Sequence, residues 1–293
     1  MSARGAAGIP TLPRRPRDAH KGDFGRVLVV AGSRRMPGAA YLAGQAAMRA
    51  GAGLTTIAVP DAALPMVGAK VTVQTLLDLP STRAGTLAPK AEKLLIAAAA
   101  EFDAVALGPG LGADSATART IRRVVCEITK PLVLDADGLN AFASANALAD
   151  LARRKAPTVL TPHPGEAARL LGSTTAKIQA DRVGAARTLA QRARAFVILK
   201  GAESCISDGT KVHINRTGNP GMATGGSGDV LTGIVAAFLA RGLPPWDAAV
   251  LAAHVHGRAG DLAARDGGED GLLATDLLEF LRRAVAERVQ RRP

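Results

Sequence analysis

The sequence predicts an α/β fold in which a central, mostly parallel sheet carries helices on both faces. Three observations predict it. Short, predominantly apolar runs recur along the chain, as parallel strands covered on both faces do. Helix-like segments separate these runs, which is the grammar of βαβ units. Polar or Gly-rich residues follow each run at once, where open α/β sheets gather ligands.

Taken in order, residues 1–20, with Gly5, Gly8, Pro10, Pro13 and Pro16, are expected to form a flexible lead-in. Order begins at Lys21-Gly22-Asp23-Phe24-Gly25, and Val27–Val30 is the first strand. The turn Gly32–Gly38 leads into an Ala-rich helix over Ala39–Ala50, and Leu54–Val59 is a second strand. A helix over Pro89–Ala100 precedes strand Ala104–Leu107 and the turn Gly108-Pro109-Gly110-Leu111-Gly112. Leu132–Leu134 ends at Asp135-Ala136-Asp137-Gly138, Thr158–Leu160 at Thr161-Pro162-His163-Pro164-Gly165-Glu166, and Val197–Leu199 at Lys200-Gly201. Cys205–Ser207 and Val212–Ile214, joined across Asp208-Gly209-Thr210, predict an antiparallel hairpin at the sheet edge. A helix is expected over Pro245–Ala264. No composition shift interrupts the chain after residue 20, so residues 21–293 are expected to form a single domain.

Composition sets bounds on function. The 293 residues are 47% apolar and only 3% aromatic, so the core must come from Ala, Val, Leu and Ile. The longest apolar candidate, Leu94–Gly112, is broken by Glu101 and Asp103, which leaves no membrane span, and no hydrophobic signal core opens the chain. Cys126 and Cys205 belong to no metal or redox spacing, so a reducing cytoplasm is the expected compartment. The net charge of +12 invites nucleic acid as a partner, but one Trp and one Tyr offer little for bases to stack on. Much of the excess sits at the ends, as Arg4, Arg14, Arg15 and Arg17 and as Arg282, Arg283, Arg288, Arg291 and Arg292. Solvated termini are expected instead of a nucleic-acid surface.

The most informative stretch is Asn219–Leu231, in which Gly225, Gly226, Ser227 and Gly228 open directly into an apolar helical run. Free backbone N–H groups and the helix dipole make such a start an anion site, and glycines let a phosphate approach. Asp229 lies in its first turn, where a carboxylate repels phosphate; it reads as a general base for phosphoryl transfer, against the plainer role of a helix cap. Asp135 and Asp137 can hold Mg²⁺ directly or through water, or cap the helix before Leu139. His163, held between Pro162 and Pro164, is a ligand contact or a structural histidine, with Glu166 in reach of the same mouth. Lys200 can neutralise a phosphate or simply be solvated at a strand end. His254 and His256 lie on different sides of their helix and have no third ligand near in sequence, which argues against zinc. No P-loop, dinucleotide fingerprint or nucleophile elbow occurs.

These motifs stand in the order of a known family. Lys21–Gly25, Met36-Pro37-Gly38-Ala39-Ala40, Gly108–Gly112, Leu134–Gly138, Leu160–Glu166, Lys200-Gly201, Thr224–Asp229, His256–Asp261 and Ala274–Leu277 together resemble the ADP-dependent NAD(P)H-hydrate dehydratases of the ribokinase-like superfamily, over about residues 20–285. The resemblance implies a ribokinase-like lyase that dehydrates the S epimer of NADHX and NADPHX, forming AMP and phosphate from ADP. It makes Asp229 the base. Ala39, Gly110, His163 and Asp229 would contact the hydrated nicotinamide nucleotide. Lys200, Gly201, Ala202, Glu203, Ser204 and Gly228 would hold the ADP, or the AMP it leaves, and Gly225 to Gly228 the moving phosphate.

Mg²⁺ is implied between the phosphates, with no protein ligand assigned, and ATP is the other nucleotide to test. Ser204 departs from the Thr of many relatives while keeping the hydroxyl. Many bacterial relatives carry an epimerase domain that twenty preceding residues could not hold, so a separate epimerase acting on the same metabolite is expected. By analogy the chain forms a homotetramer. The alternative on the same fold is a kinase for a hydroxyalkyl heterocycle such as a thiamin precursor.

Overall fold

The computed structural model of the protein describes residues 8–143 and 145–290. Nine strands form one sheet: β1 (Arg26–Val30), β2 (Leu54–Pro60), β3 (Thr75–Leu79), β4 (Ala104–Leu107), β5 (Leu132–Leu134), β6 (Thr158–Leu160), β7 (Phe196–Leu199), β8 (Cys205–Ser207) and β9 (Val212–Ile214). Their spatial order is β3-β2-β1-β4-β5-β6-β7-β8-β9. Strands β1 to β7 pair in parallel, and β8 and β9 form the expected antiparallel hairpin at one edge.

The period-2 alternation of each strand feeds two cores. Val27 and Val29 of β1 face one core and Leu28 and Val30 the other, and all four are fully buried. The first core packs the small-residue helix Pro37–Arg49 against helices Ser227–Ala240, Pro245–Gly267 and Ala274–Ala286. The second is covered by Glu92–Ala99, Ser115–Glu127, Pro164–Leu171 and Arg182–Ala193. This is the two-faced α/β arrangement expected of the sequence.

Strand order reverses between β1 and β4, and open α/β sheets bind ligands at such switch points. There the Gly32 N–H donates to the Pro109 carbonyl at 2.7 Å, joining the two strand-end loops. Gly108 has φ +133°, and a Cβ on it would stand 1.9 Å from the Asp135 carbonyl oxygen, so only Gly lets β4 end against β5 here.

Some features exceed the sequence reading. Strand β3 and helices Ser115–Glu127, Pro164–Leu171, Arg182–Ala193 and Ala274–Ala286 were not individually anticipated. Leu12, within the expected lead-in, is fully buried; its N–H donates to the Arg288 carbonyl at 2.9 Å and its carbonyl accepts from Gln290 at 3.0 Å. Hydrogen-bond pairing with the far end of the chain therefore fixes a segment whose Gly and Pro content alone reads as loose. Among the described residues, no helix is long and apolar enough to cross a membrane.

Candidate active site

The Gly-rich stretch folds as its residues dictate. The Asn219 side chain accepts from the Gly221 N–H at 3.1 Å and starts a short turn over Pro220–Met222. Gly226 then adopts φ +88° as the residue before helix Ser227–Ala240. The first N–H groups of that helix have no intrahelical acceptor and open onto the carboxyl ends of the strands. Val230, Leu231, Ile234, Val235 and Phe238 seat the helix in the core, so its amino end is rigidly aimed.

Beneath this helix start lies a buried network of charges. Lys200 Nζ donates to Asp135 Oδ1 at 2.8 Å and stands 3.9 Å from Glu166 Oε2. Asp135, 1% exposed, accepts at its other oxygen from Thr232 Oγ1 at 2.7 Å. Burial alone would lower the Lys200 ammonium, but the charges of Asp135 and Glu166 outweigh it and hold the group above its ordinary value. The Asp229 carboxylate has no hydrogen bond or ion pair among the described residues. Burial, reinforced by the charge of Asp135 and only partly offset by Lys200, pushes its pKa up to about 7. An unpartnered carboxyl of raised pKa in the first turn of helix Ser227–Ala240 has the properties suited to a general base.

On the switch-point side the structure brings Ala39 and Gly110 together. A Cβ on Gly110, whose φ is +65°, would lie 2.9 Å from the Ala39 Cβ and 3.0 Å from Met36. The two positions thus form one small-residue wall where strand ends β1 and β4 meet. His163 caps helix Pro164–Leu171: its Nδ1 accepts from the N–H groups of Gly165 at 3.0 Å and Glu166 at 3.3 Å. Its own N–H donates to Glu166 Oε2 at 2.7 Å, closing a capping box. With Nδ1 accepting, the neutral ring carries its proton on Nε2, which lies 3.4 Å from Glu166 Oε1. Burial, with the charge of Lys200 behind it, lowers the His163 pKa and keeps the ring neutral. Burial raises the Glu166 carboxyl against the pull of Lys200.

Lys200 to Ser204 form the tight turn from β7 to β8, with Gly201 at φ +142° and Glu203 at φ +54°. The guanidinium of Arg182 holds this turn, donating to the carbonyls of Leu199 and Lys200 at 3.2 Å each and to that of Ala202. Ser204 Oγ donates to the Gly201 carbonyl at 3.1 Å. Gly201, Ala202 and Glu203 are exposed, whereas Lys200 turns inward to the acids. A Cβ on Gly228 would lie 3.1 Å from Lys200 Nζ, so the ammonium sits directly under the glycine loop.

The two oxygens of Asp135 are engaged by Lys200 and Thr232. Asp137 accepts from the Gly112 N–H at 2.8 Å and starts the short helix Asp137–Asn140. Among the described residues, no group of three or more His, Cys, Asp or Glu side chains is gathered to hold a metal ion.

A family model described as NAD(P)H-hydrate dehydratase matches residues 27–283. The chain belongs to that family. Among curated members, the bifunctional NAD(P)H-hydrate repair enzyme Nnr of Moorella thermoacetica is 49% identical over 92% of this chain and 51% of its own length. The chain spans about half the length of several such relatives. It covers 86% of the ADP-dependent (S)-NAD(P)H-hydrate dehydratase of Neisseria meningitidis, at 40% identity over 90% of this chain. The crystal structure of the ADP/ATP-dependent NAD(P)H-hydrate dehydratase of Bacillus subtilis, co-crystallized with ATP/Mg²⁺, superimposes with a TM-score of 0.78 at 31% identity, covering 94% of both chains.

In this member of the dehydratase family, the tail motif His256–Asp261 buttresses the glycine loop. His256, on the long helix Pro245–Gly267, places Nε2 2.9 Å from the Ser227 carbonyl and 3.3 Å from its hydroxyl. Gly257 lies so close to Thr217 that a Cβ would meet its backbone at 2.5 Å, and Asp261 accepts from the Gly218 N–H at 3.1 Å. Burial lowers the His256 pKa to about 4, against the pull of its bond to Ser227. The folded protein therefore refuses a proton that the unfolded chain accepts below its ordinary value of 6.5. Stability is expected to fall by up to ~1.4 kcal/mol per pH unit from this histidine as pH drops from about 6.5 toward 4. Burial also lowers His163, His213 and His254, which adds in the same direction. Urea midpoints against pH should show the slope, and His256→Gln should flatten it; an unchanged slope would remove His256 from this role.

Proposed function

We propose that this chain dehydrates the S epimer of NADHX and NADPHX in an ADP-dependent reaction, restoring NADH and NADPH with release of AMP and phosphate. The observation that carries the reading is Asp229, a carboxyl with a pKa of about 7 and no hydrogen-bond or ion-pair partner among the described residues, in the first turn of a helix whose glycine-rich start suits phosphate. The relatives' names supply the substrate, and the chemistry suits the site. Asp229 takes the proton of the ring C6 hydroxyl as its oxygen attacks the terminal phosphorus of ADP and AMP departs. The ring nitrogen lone pair then expels phosphate from C6 while C5 gives up a proton, and the dihydronicotinamide double bond returns. Atoms balance: hydrate plus ADP gives dinucleotide, AMP and phosphate.

In this proposal the N–H groups of Gly225 to Gly228 cradle the phosphate in flight. Lys200 offsets part of the charge of Asp135 and Glu166 beneath it, which lessens their repulsion of the nucleotide. The Lys200–Ser204 turn and Gly228 take the AMP part. Ala39, Gly110 and His163 line the side for the nicotinamide ring, where a neutral imidazole can donate from Nε2. Mg²⁺, when bound with the nucleotide, would neutralise phosphate charge; with Asp135 engaged, its protein contacts would be few and water-filled. We place the enzyme in the cytoplasm as a homotetramer of single-domain subunits, working alongside an epimerase that returns the R epimer to the S form.

The test is to incubate the protein and Mg²⁺ with a mixed-epimer preparation of NADHX and either ADP or ATP, following NADH absorbance. The S fraction should be consumed with stoichiometric AMP when ADP is the donor, or ADP when ATP is, and the R fraction should persist until epimerase is added. No recovery with either nucleotide would overturn the assignment.

A further inference from the structure

We infer that the cavity where the two basic ends of the chain meet is a binding site for a small, multiply charged phosphate compound, distinct from the site at Asp229. The bridge between Leu12 and Val289 folds the ends together. They enclose a cavity of about 570 Å³, a size that suits a small-molecule ligand. Five arginines line it, namely Arg14, Arg15, Arg49, Arg241 and Arg282, and among the described residues no acidic one does. Its floor is apolar, with Met48, Val285 and Val289.

A plainer role accounts for two of the five. Arg15 donates to the Gly51 carbonyl at 2.7 Å, just past the end of helix Pro37–Arg49, and Arg241 donates to the Pro13 carbonyl at 3.4 Å. Both also stack on Phe24, at 3.7 and 5.9 Å from its ring centre. Arg14, Arg49 and Arg282 have no hydrogen bond or ion pair among the described residues. Like charges held together around a concave surface cost free energy unless an anion joins them. Burial and the neighbouring charge of Arg15 already depress Arg241 to about 10. The planar forks of several guanidinia match phosphate oxygens in two-point fashion. Concavity favours a compact ligand over the extended backbone of a nucleic acid.

The site is remote from the chemistry. Helix Ser227–Ala240 starts at the glycine loop and ends beside Arg241, and its 14 residues span about 20 Å. Binding here therefore makes no use of the dehydratase residues.

Inorganic triphosphate is the probe. Titrated calorimetrically into the protein in moderate salt, it should occupy a site that Arg49→Gln/Arg282→Gln weakens about tenfold or more, the loss of charge-assisted bonds to two guanidinia. Hydrogen exchange should show triphosphate protecting residues 12–15, 49–51 and 282–289 in the parent and not in the double variant, while NADHX repair is unchanged between them. Protection confined to residues 224–229, or equal affinity in the double variant, would overturn the proposal. So would arbitrary duplex DNA displacing triphosphate at the same salt, which would make the surface a nucleic-acid contact. The calorimetric and exchange readouts are independent of whether repair is the correct activity.

Discussion

Asp229→Asn is expected to lower the rate of NADHX repair by about 10²- to 10⁴-fold, the range typical of losing a general base, while ADP binding by calorimetry stays within about threefold. Asn keeps the shape of the side chain and its place in the first helical turn, and removes only the proton acceptor. The same substitution should make the protein more stable. Asp229 is held at about 7 in the fold against 3.8 for an ordinary Asp, chiefly because burial disfavours its charge. The native state therefore binds the extra proton, and stability falls as pH rises from about 4 to about 7. Removing the ionisable group removes that penalty. In the parent enzyme, repair should rise with pH through about 7 and level off above it, as the base loses its proton. A variant that unfolds, or that loses ADP along with turnover, would make Asp229 structural and leave the site without its base.

Lys200→Met should cost about 3–5 kcal/mol in chemical denaturation, because Asp135 is left buried with a charge and no counter-ion. Thr232 donates a hydrogen bond to that carboxylate but cannot balance its charge. The ammonium also holds the Asp229 pKa down, so its loss should move whatever activity remains to higher pH. Pairing the change with Asp135→Asn should recover most of the stability, since the acid in direct contact with the ammonium no longer carries a stranded charge and Glu166 keeps its bond from the His163 N–H, without recovering repair. That split separates the two duties of Lys200, balancing acids within the fold and limiting the negative charge beneath the proposed phosphate site. If the single variant is as stable as the parent, the 2.8 Å ion pair is not carrying the network.

The fold was legible because buried parallel strands announce themselves locally. Val27–Val30 and Ala104–Leu107 are apolar on both faces, and each is followed by a glycine-containing loop within a few residues. Strand β3 escaped because it is a half-exposed edge strand with Asp78 in the middle of its pattern. The glycine loop and Asp229 were legible for the same local reason, a run of Gly before an apolar helix. The inward turn of Lys200 was not. Its partner Asp135 is 65 residues away, and a lone strand-end lysine carries no sign of where its ammonium points. Arg182 and Thr232 were missed likewise: each acts on the site from inside a helix whose local pattern explains it fully as helix. His256 was weighed only as a metal ligand, and its service to Ser227 depends on two helices packing together.

The spread of these partners has a consequence for the order of events in the life of the chain. Asp135 meets Lys200 only after three more strands have been added beside β4, and it meets Thr232, 97 residues on, only after the glycine loop has docked. Loop closures of that length slow folding, and here they also make it conditional. No fragment that stops short of Thr232 holds the whole network, so under the proposed function a nascent chain lacks the complete nucleotide site. Competence for the proposed chemistry waits on these long-range contacts, and a ligand that binds the centre stabilises only the folded molecule.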